Sequence, residues 1–143
     1  MKLVIQRVTS AKVVSSGRVF GQIGKGLFVL VGFEKGDMDT EIIKYAQKLF
    51  KMRLMKDSEG KLNLTVNDVD GAFLMVSQFT LLGDTSEGNR PSFVKSEEPE
   101  RAKKLYDLFV ANLKDLGAKV EIGNFGHYME IETMIDGPVT III

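Results

Sequence analysis

Apolar positions along the chain follow two periods, and the switches between them mark the elements. Up to about residue 33 the pattern is that of strands. Leu3, Ile5 and Val8 stand in a β-branched run, Val13-Val14 and Val19-Phe20 flank Ser15-Ser16-Gly17-Arg18, and Leu27-Phe28-Val29-Leu30-Val31 is unbroken. The flanked tetrapeptide is a hairpin signal, since Gly17 accepts the positive φ of a tight turn. The unbroken run predicts a strand buried on both faces.

Over residues 38–51 the period becomes helical. Ile42, Ile43, Ala46, Leu49 and Phe50 form one stripe, with Lys44, Gln47 and Lys48 opposite, and Asp37 or Asp39 is placed to cap the start. Met52-Arg53-Leu54-Met55 then reads as a strand, ended by Asp57-Ser58-Glu59-Gly60. Residues 71–79 predict another buried strand. The polar stretch 83–99 predicts a long loop, of a length that in compact domains is often functional. A second amphipathic helix is expected over 100–116, with Ala102, Leu105, Tyr106, Phe109 and Leu113 on its stripe and Gly117 at the C′ position. Residues 119–122, 128–135 and 139–143 return to strand. No repeat or linker interrupts this order, so residues 1–143 predict a single α+β domain with a mostly antiparallel or mixed sheet and two amphipathic helices.

A chain of 143 residues, 44% hydrophobic, buries a core without help from disulfides or metals. It has no Cys, which removes disulfides, thiol nucleophiles and thiolate metal sites together. The opening Met1-Lys2-Leu3-Val4-Ile5-Gln6-Arg7 meets charge too early for a secretory segment. No apolar run approaches the roughly 20 residues of a membrane span. A soluble, cytoplasmic protein with no membrane partner is expected. Nineteen basic and nineteen acidic residues give zero net charge. Neutrality argues against broad duplex binding, which draws on a basic excess, and leaves open a pocket for a strand end.

The chemistry available is narrow. His127 is the one histidine, no Gly-x-Ser-x-Gly elbow accompanies it, and without a second His a histidine-based zinc site is excluded; no metal or cofactor is expected. The glycines between Gly21 and Gly26 fit neither a Walker loop nor a dinucleotide fingerprint and read as turns. Two segments stand out. Ser77-Gln78-Phe79-Thr80-Leu81 places hydroxyls, an amide and a ring where a strand leaves the core, able to offer N–H groups, hydroxyls and a stacking surface to a ligand. Asp136-Gly137-Pro138-Val139-Thr140 sits between two β runs. Taken alone, each has a plainer reading: local Ser and Thr hydrogen bonds at a strand end, and a tight turn.

Together with the rest of the chain, the two segments resemble the D-aminoacyl-tRNA deacylase family from end to end. Met1 to Val8 is similar to the family's first strand, and Ser77-Gln78-Phe79-Thr80-Leu81 matches its signature pentapeptide. Arg90-Pro91-Ser92-Phe93 resembles the loop motif that follows. Phe125, Gly126 and Met129 fall on its Phe-Gly-x-x-Met run, and Gly137-Pro138-Val139-Thr140 matches its second signature. The resemblance implies a barrel-like sheet and hydrolysis of the ester of D-aminoacyl-tRNA, with glycyl-tRNA as a possible further substrate. It implies a homodimer with the active site at the subunit interface, taking the acceptor end of the tRNA. Ser77, Gln78, Phe79 and Thr80 would form the catalytic segment. Arg7, Met129, Gly137 and Pro138 would bind substrate, with Gly137-Pro138 of the other subunit as a chiral gate that Arg7 helps to hold.

Two positions depart from the family pattern. Ile135 replaces an Asn that could tie the gate down, and His127 replaces a small residue and is expected to face solvent or a neighbouring loop. The alternative function is a non-catalytic module that binds a nucleotide or a nucleic-acid end.

Overall fold

A computed structural model describes residues 1–143. Its organising element is β1 (Lys2–Ser15), a strand with a different partner on each edge. Val4 faces both Leu30 and Ile142, and Val13 faces both Gly21 and Ile131. One edge therefore holds β3 (Gly26–Gly32) and then β2 (Arg18–Ile23), and the other holds β8 (Glu130–Ile142), all antiparallel. The β1–β2 hairpin turns through Ser16 and Gly17, both at positive φ (49° and 72°), as its sequence predicts.

From β3 the sheet continues in parallel through β6 (Ala72–Ser77) to β7 (Val120–Ile122). Parallel neighbours need long crossovers. Helix α1 (Asp39–Lys51) lies in the first and α2 (Pro99–Asp115) in the second. The sheet curls until β2 meets β7, so closely that a Cβ on Gly21 would stand 2.5 Å from the Ile122 carbonyl oxygen. The expected mixed, nearly closed sheet with two helices is the fold observed.

Alternation along the central strands feeds two cores. Val29, Val31, Phe73 and Met75 pack with Ile42 and Leu49 of α1 and Phe109 of α2, whereas Phe28, Leu74 and Val76 point into a smaller cluster with Val8, Val13 and Ile23. Both faces are dry, which is why these strands read as unbroken apolar runs.

Four local expectations are corrected. Neither Asp37 nor Asp39 caps α1. Met38 occupies that position, Asp37 takes the amino-terminal ammonium at 2.8 Å and the Glu34 N–H, and Asp39 pairs with Arg101. Residues 52–54 are not a strand: β4 is only Met55–Lys56, paired with a short β5 (Leu62–Leu64), and Arg53 is drawn to the side chain and carbonyl of Asn63. Strand β6 stops at Ser77, and Phe79–Leu82 form a 3₁₀ turn. Residues 130–142 are one strand, with Gly137-Pro138 (a cis peptide) inside it and not in a turn between two strands. Pairing along β1 holds the two halves of β8 together, an interaction that local sequence does not reveal.

Candidate functional site

The Ser77–Leu81 segment is shaped by its neighbours. Ser77 closes the parallel ladder opposite Val31, and the Gln78 N–H adds one more rung to the Val31 carbonyl at 2.7 Å. The chain then turns over Gly32. A Cβ there would lie 2.6 Å from Leu82 Cδ2 and 2.9 Å from the Gln78 carbonyl oxygen, so only glycine lets the turn settle onto β3. Buried Leu82 anchors the turn, while Phe79 is left 58% exposed. Leu81 and Gly83 donate bonds to Gln78 and Thr80. The N–H groups of Phe79 and Thr80 open the turn, where no intrahelical acceptor is available. The Gln78 side-chain amide donates to Thr80 Oγ1.

The loop over residues 83–98 folds back against this turn. Phe93 meets Phe79 edge to face at 5.1 Å, and the Ser96 hydroxyl donates to the Phe79 carbonyl at 3.3 Å. Backbone bonds from Lys35 to Lys95 and from Glu97 to Phe33 stitch the loop to the end of β3. Asp84 staples the loop's own base. Hydrogen bonds from the side chain and N–H of Ser86, then the Lys95 ammonium, hold its carboxyl far below the usual carboxylate range.

The opposite wall is the segment between β7 and β8. One atom fixes it: the Met75 carbonyl oxygen accepts from the Gly123 N–H at 2.9 Å and from the Tyr106 hydroxyl at 2.8 Å. Burial, and secondarily the charge of Asp107, push that hydroxyl's pKa well up, so it stays a neutral donor. Phe125 packs on the Tyr106 ring at 5.6 Å. Met129 reaches back over Gly123, where an added Cβ would meet its sulfur at 2.8 Å.

These walls enclose a cleft of about 710 Å³. Ser77, Gln78, Phe79 and Met129 all line it, and Thr80 adjoins it through its bond with Gln78. Residues not singled out from sequence complete it: Lys35, Val94, Ser96 and Glu97, with Phe93 from the loop motif. The length and polarity of the loop were the available signal; which of its residues turn inward depends on the backbone bonds to β3. His127 is exposed to solvent, as expected, and also stands on the cleft wall.

Arg7, Gly137 and Pro138 do not line this cleft. They meet elsewhere on the same chain. Pairing of β1 with β8 jumps from Val8–Ile135 to Gln6–Thr140, so residues 136–139 bulge opposite Arg7. The Arg7 side chain is 2% exposed. Its Nε pairs with Asp136 Oδ2 at 2.9 Å and lies 3.2 Å from the Asp136 carbonyl oxygen, and Nη1 donates to the Leu54 carbonyl at 3.1 Å. Asp136, not residue 135, is what ties the bulge down; Ile135 is 42% exposed. Gly137, at φ 131°, leaves room for the guanidinium, since a Cβ would sit 3.0 Å from Arg7 Nη2.

The cleft wall thus carries an exposed ring with hydroxyl and amide side chains, and the 3₁₀ turn that starts at that ring opens with N–H groups that have no intrahelical acceptor. The chain assembles no group of three or more His, Cys, Asp or Glu able to hold a metal ion. No helix is long and apolar enough to cross a membrane.

Residues 4–143 match the family model described as D-Tyr-tRNA(Tyr) deacylase. A D-aminoacyl-tRNA deacylase from Thermosipho melanesiensis is 45% identical over 144 residues, covering 100% of this chain and 96% of the relative. One from Lactobacillus delbrueckii subsp. bulgaricus is 48% identical over 143 residues, covering 100% and 99%. Among solved structures, a c-Myc DNA Unwinding Element Binding Protein superposes with a TM-score of 0.93 at 35% identity, covering 100% of this chain and 97% of that one. A probable eukaryotic D-amino acid tRNA deacylase superposes with a TM-score of 0.84 over 99% and 97%; at 15% identity this bears on the fold alone.

Proposed function

Because the chain belongs to the D-Tyr-tRNA(Tyr) deacylase family, we propose that it is a hydrolase of the aminoacyl ester of D-aminoacyl-tRNA and that the Ser77–Thr80 cleft takes the terminal aminoacyl-adenosine. The observation that supports this reading is the 3₁₀ turn, which begins at the exposed Phe79 ring on the cleft wall and opens with two N–H groups that have no intrahelical acceptor. Phe79, braced by Phe93, is a stacking platform for adenine.

An aminoacyl ester is already activated, so the remaining barrier is modest. Water attacks the ester carbonyl carbon, the N–H groups of Phe79 and Thr80 receive the developing oxyanion, and the bond to the ribose oxygen breaks as that oxygen takes up a proton. One such donor is typically worth about 10²–10³ in rate. The neighbouring ribose 2′-hydroxyl is close enough to position the water. Thr80 has no base beside it, and its oxygen accepts from Gln78, so it orients and does not attack.

The working unit in this reading is a homodimer, with Gly137-Pro138 of a second copy closing the cleft. Support comes from β8. Its outer edge is unpaired, and Met134 (63%), Ile135 (42%) and Ile142 (70%) are exposed along it, an edge that calls for cover. Main-chain carbonyls at the bulge would accept a D-residue's ammonium and clash with an L side chain. Glycine, having no side chain, would pass, so glycyl-tRNA is a further substrate. The setting is the cytoplasm, where charged tRNA is used.

Deacylation of D-tyrosyl-, L-tyrosyl- and glycyl-tRNA by the purified protein tests the reading, with Thr80→Ala assayed beside a substrate ending in 2′-deoxyadenosine. Turnover of the D and glycyl substrates is expected, with little on the L form and a larger loss from 2′-deoxygenation than from Thr80→Ala. Equal D and L rates refute the gate. The likeness to the c-Myc DNA Unwinding Element Binding Protein favours a second reading, binding of a nucleic-acid end without hydrolysis, which tRNA binding without any turnover would select.

A further inference from the structure

The net charge is zero, but the charges are unevenly spread. The outward positions of α2 mix acids with bases, and Lys103 pairs there with Asp107 at 2.6 Å. On α1 the two signs separate. Its acids lie in the first turn and are engaged, Asp39 by Arg101 at 2.5 Å and Glu41 by the Met38 N–H at 3.3 Å. Its exposed lysines, Lys44, Lys48 and Lys51, have no acid partner. Spacings of four and three stack them along one ridge, opposite Ile42, Ala46 and Leu49, which face the core. The helix dipole favours cations in the last turn, which accounts for Lys48 and Lys51. It accounts neither for Lys44 nor for the lack of any acid beside the three.

The helix that carries the ridge begins close to the cleft. Lys35 lines the cleft four residues before α1 begins, and the Asp39–Arg101 pair ties the first turn of α1 to that of α2, whose Pro99 and Ala102 also line it. From that rim the lysines lead outward, spanning about 10 Å at 1.5 Å per residue.

We propose that this ridge docks the sugar-phosphate backbone of the tRNA acceptor stem whose 3′ end occupies the cleft, an inference that rests on the deacylase reading above. Ammonium groups on flexible stems bind phosphate as point charges, without demanding one geometry. Double-stranded RNA is met through its shape and phosphates, not its base edges. A local uncompensated strip on a neutral protein can engage phosphates in this way without a global attraction for nucleic acid, and it lets tRNAs of different sequence be accepted.

The test compares wild type with Lys44→Gln/Lys48→Gln/Lys51→Gln on two substrates: D-tyrosyl-tRNA, and the D-tyrosyl ester of the 3′-terminal trinucleotide, which fills the cleft but has no stem. With tRNA, KM should rise about tenfold, and the log–log salt dependence of kcat/KM should become shallower by about two to three, at roughly 0.9 for each duplex phosphate left without its lysine. The kcat, the trinucleotide kinetics and the melting temperature should not move. Equal losses on both substrates overturn the inference, as do unchanged tRNA kinetics with an unchanged salt slope; the latter would free the ridge for an acidic protein partner. A wild-type protein that cleaves neither substrate would instead bring down the deacylase reading itself.

Discussion

Replacing Arg7 by methionine keeps most of the side chain's length and apolar stem but removes the guanidinium, and each interaction of that group can be weighed in turn. The bond from Nη1 to the Leu54 carbonyl is buried, so that carbonyl is left without a partner where water does not reach, at about 1–3 kcal/mol. The pair with Asp136 is harder to place. An exposed ion pair contributes about 0–1 kcal/mol and a fully buried one costs about 3–5 when a partner is removed. Arg7 is 2% exposed and Asp136 34%, so water can take over part of the carboxylate, and a cost of about 2 kcal/mol is expected between those limits. The sum is about 3–5 kcal/mol, a large share of a domain stability of about 5–15. In melting temperature it is a fall of about 10–17 °C. Urea denaturation of Arg7→Met, with Arg7→Lys expected to fall between it and wild type, measures this directly. The same variants should hydrolyse L-tyrosyl-tRNA faster relative to the D form, because the 136–139 bulge loses its tie. A destabilisation below about 1 kcal/mol with an unchanged D/L ratio would show that Arg7 neither holds the bulge nor serves the gate.

Gly32→Ala should cost about 1–3 kcal/mol through the close approaches at 2.6 and 2.9 Å and, on the proposed reading, raise KM by displacing the 79–82 turn, read by denaturation and steady-state kinetics. Phe79→Ala should raise KM roughly tenfold by removing the stacking surface, while stability falls by only about 0.5–1.5 kcal/mol, the worth of the edge contact with Phe93 on a ring that is otherwise exposed; a fall well beyond that would argue against a platform. Tyr106 gives a signature in base. Its pKa is raised above the ordinary 10.0, so below that value the hydroxyl is neutral folded and unfolded, and above it the unfolded chain ionises first and stability falls with rising pH. Urea midpoints between about pH 9 and 11 should drop more steeply for wild type than for Tyr106→Phe.

Much of the site was legible because its parts lie within short stretches. The buried run ahead of Ser77 announces a strand end, and the residue types of the pentapeptide announce polar chemistry there. What failed to show was each partner supplied from a distance. Glu97 and Phe93 reach the cleft because the 83–98 loop is stitched to Phe33 and Lys35, and the far wall stands where Tyr106 and Gly123 converge on Met75. Asp37 and Asp39 looked like caps by local rule, but the amino-terminal ammonium and Arg101 claimed them first.

By itself the sequence determined the alternation of elements, the two-sided burial of the central strands and the hairpin at Ser16-Gly17, because periodicity and glycine act over a few residues. Its motifs also determined the family. The tertiary structure alone decided that Gly137-Pro138 lies within a continuous strand, that Arg7 is buried against its bulge, and that four of the eight expected site residues line one cleft while three gather elsewhere on the chain. The physical reason is distance along the chain: the motifs linked Arg7 to the Gly137-Pro138 segment, but β1–β8 pairing is what brings Arg7 and Asp136 together within one chain, and local pattern does not reveal that pairing.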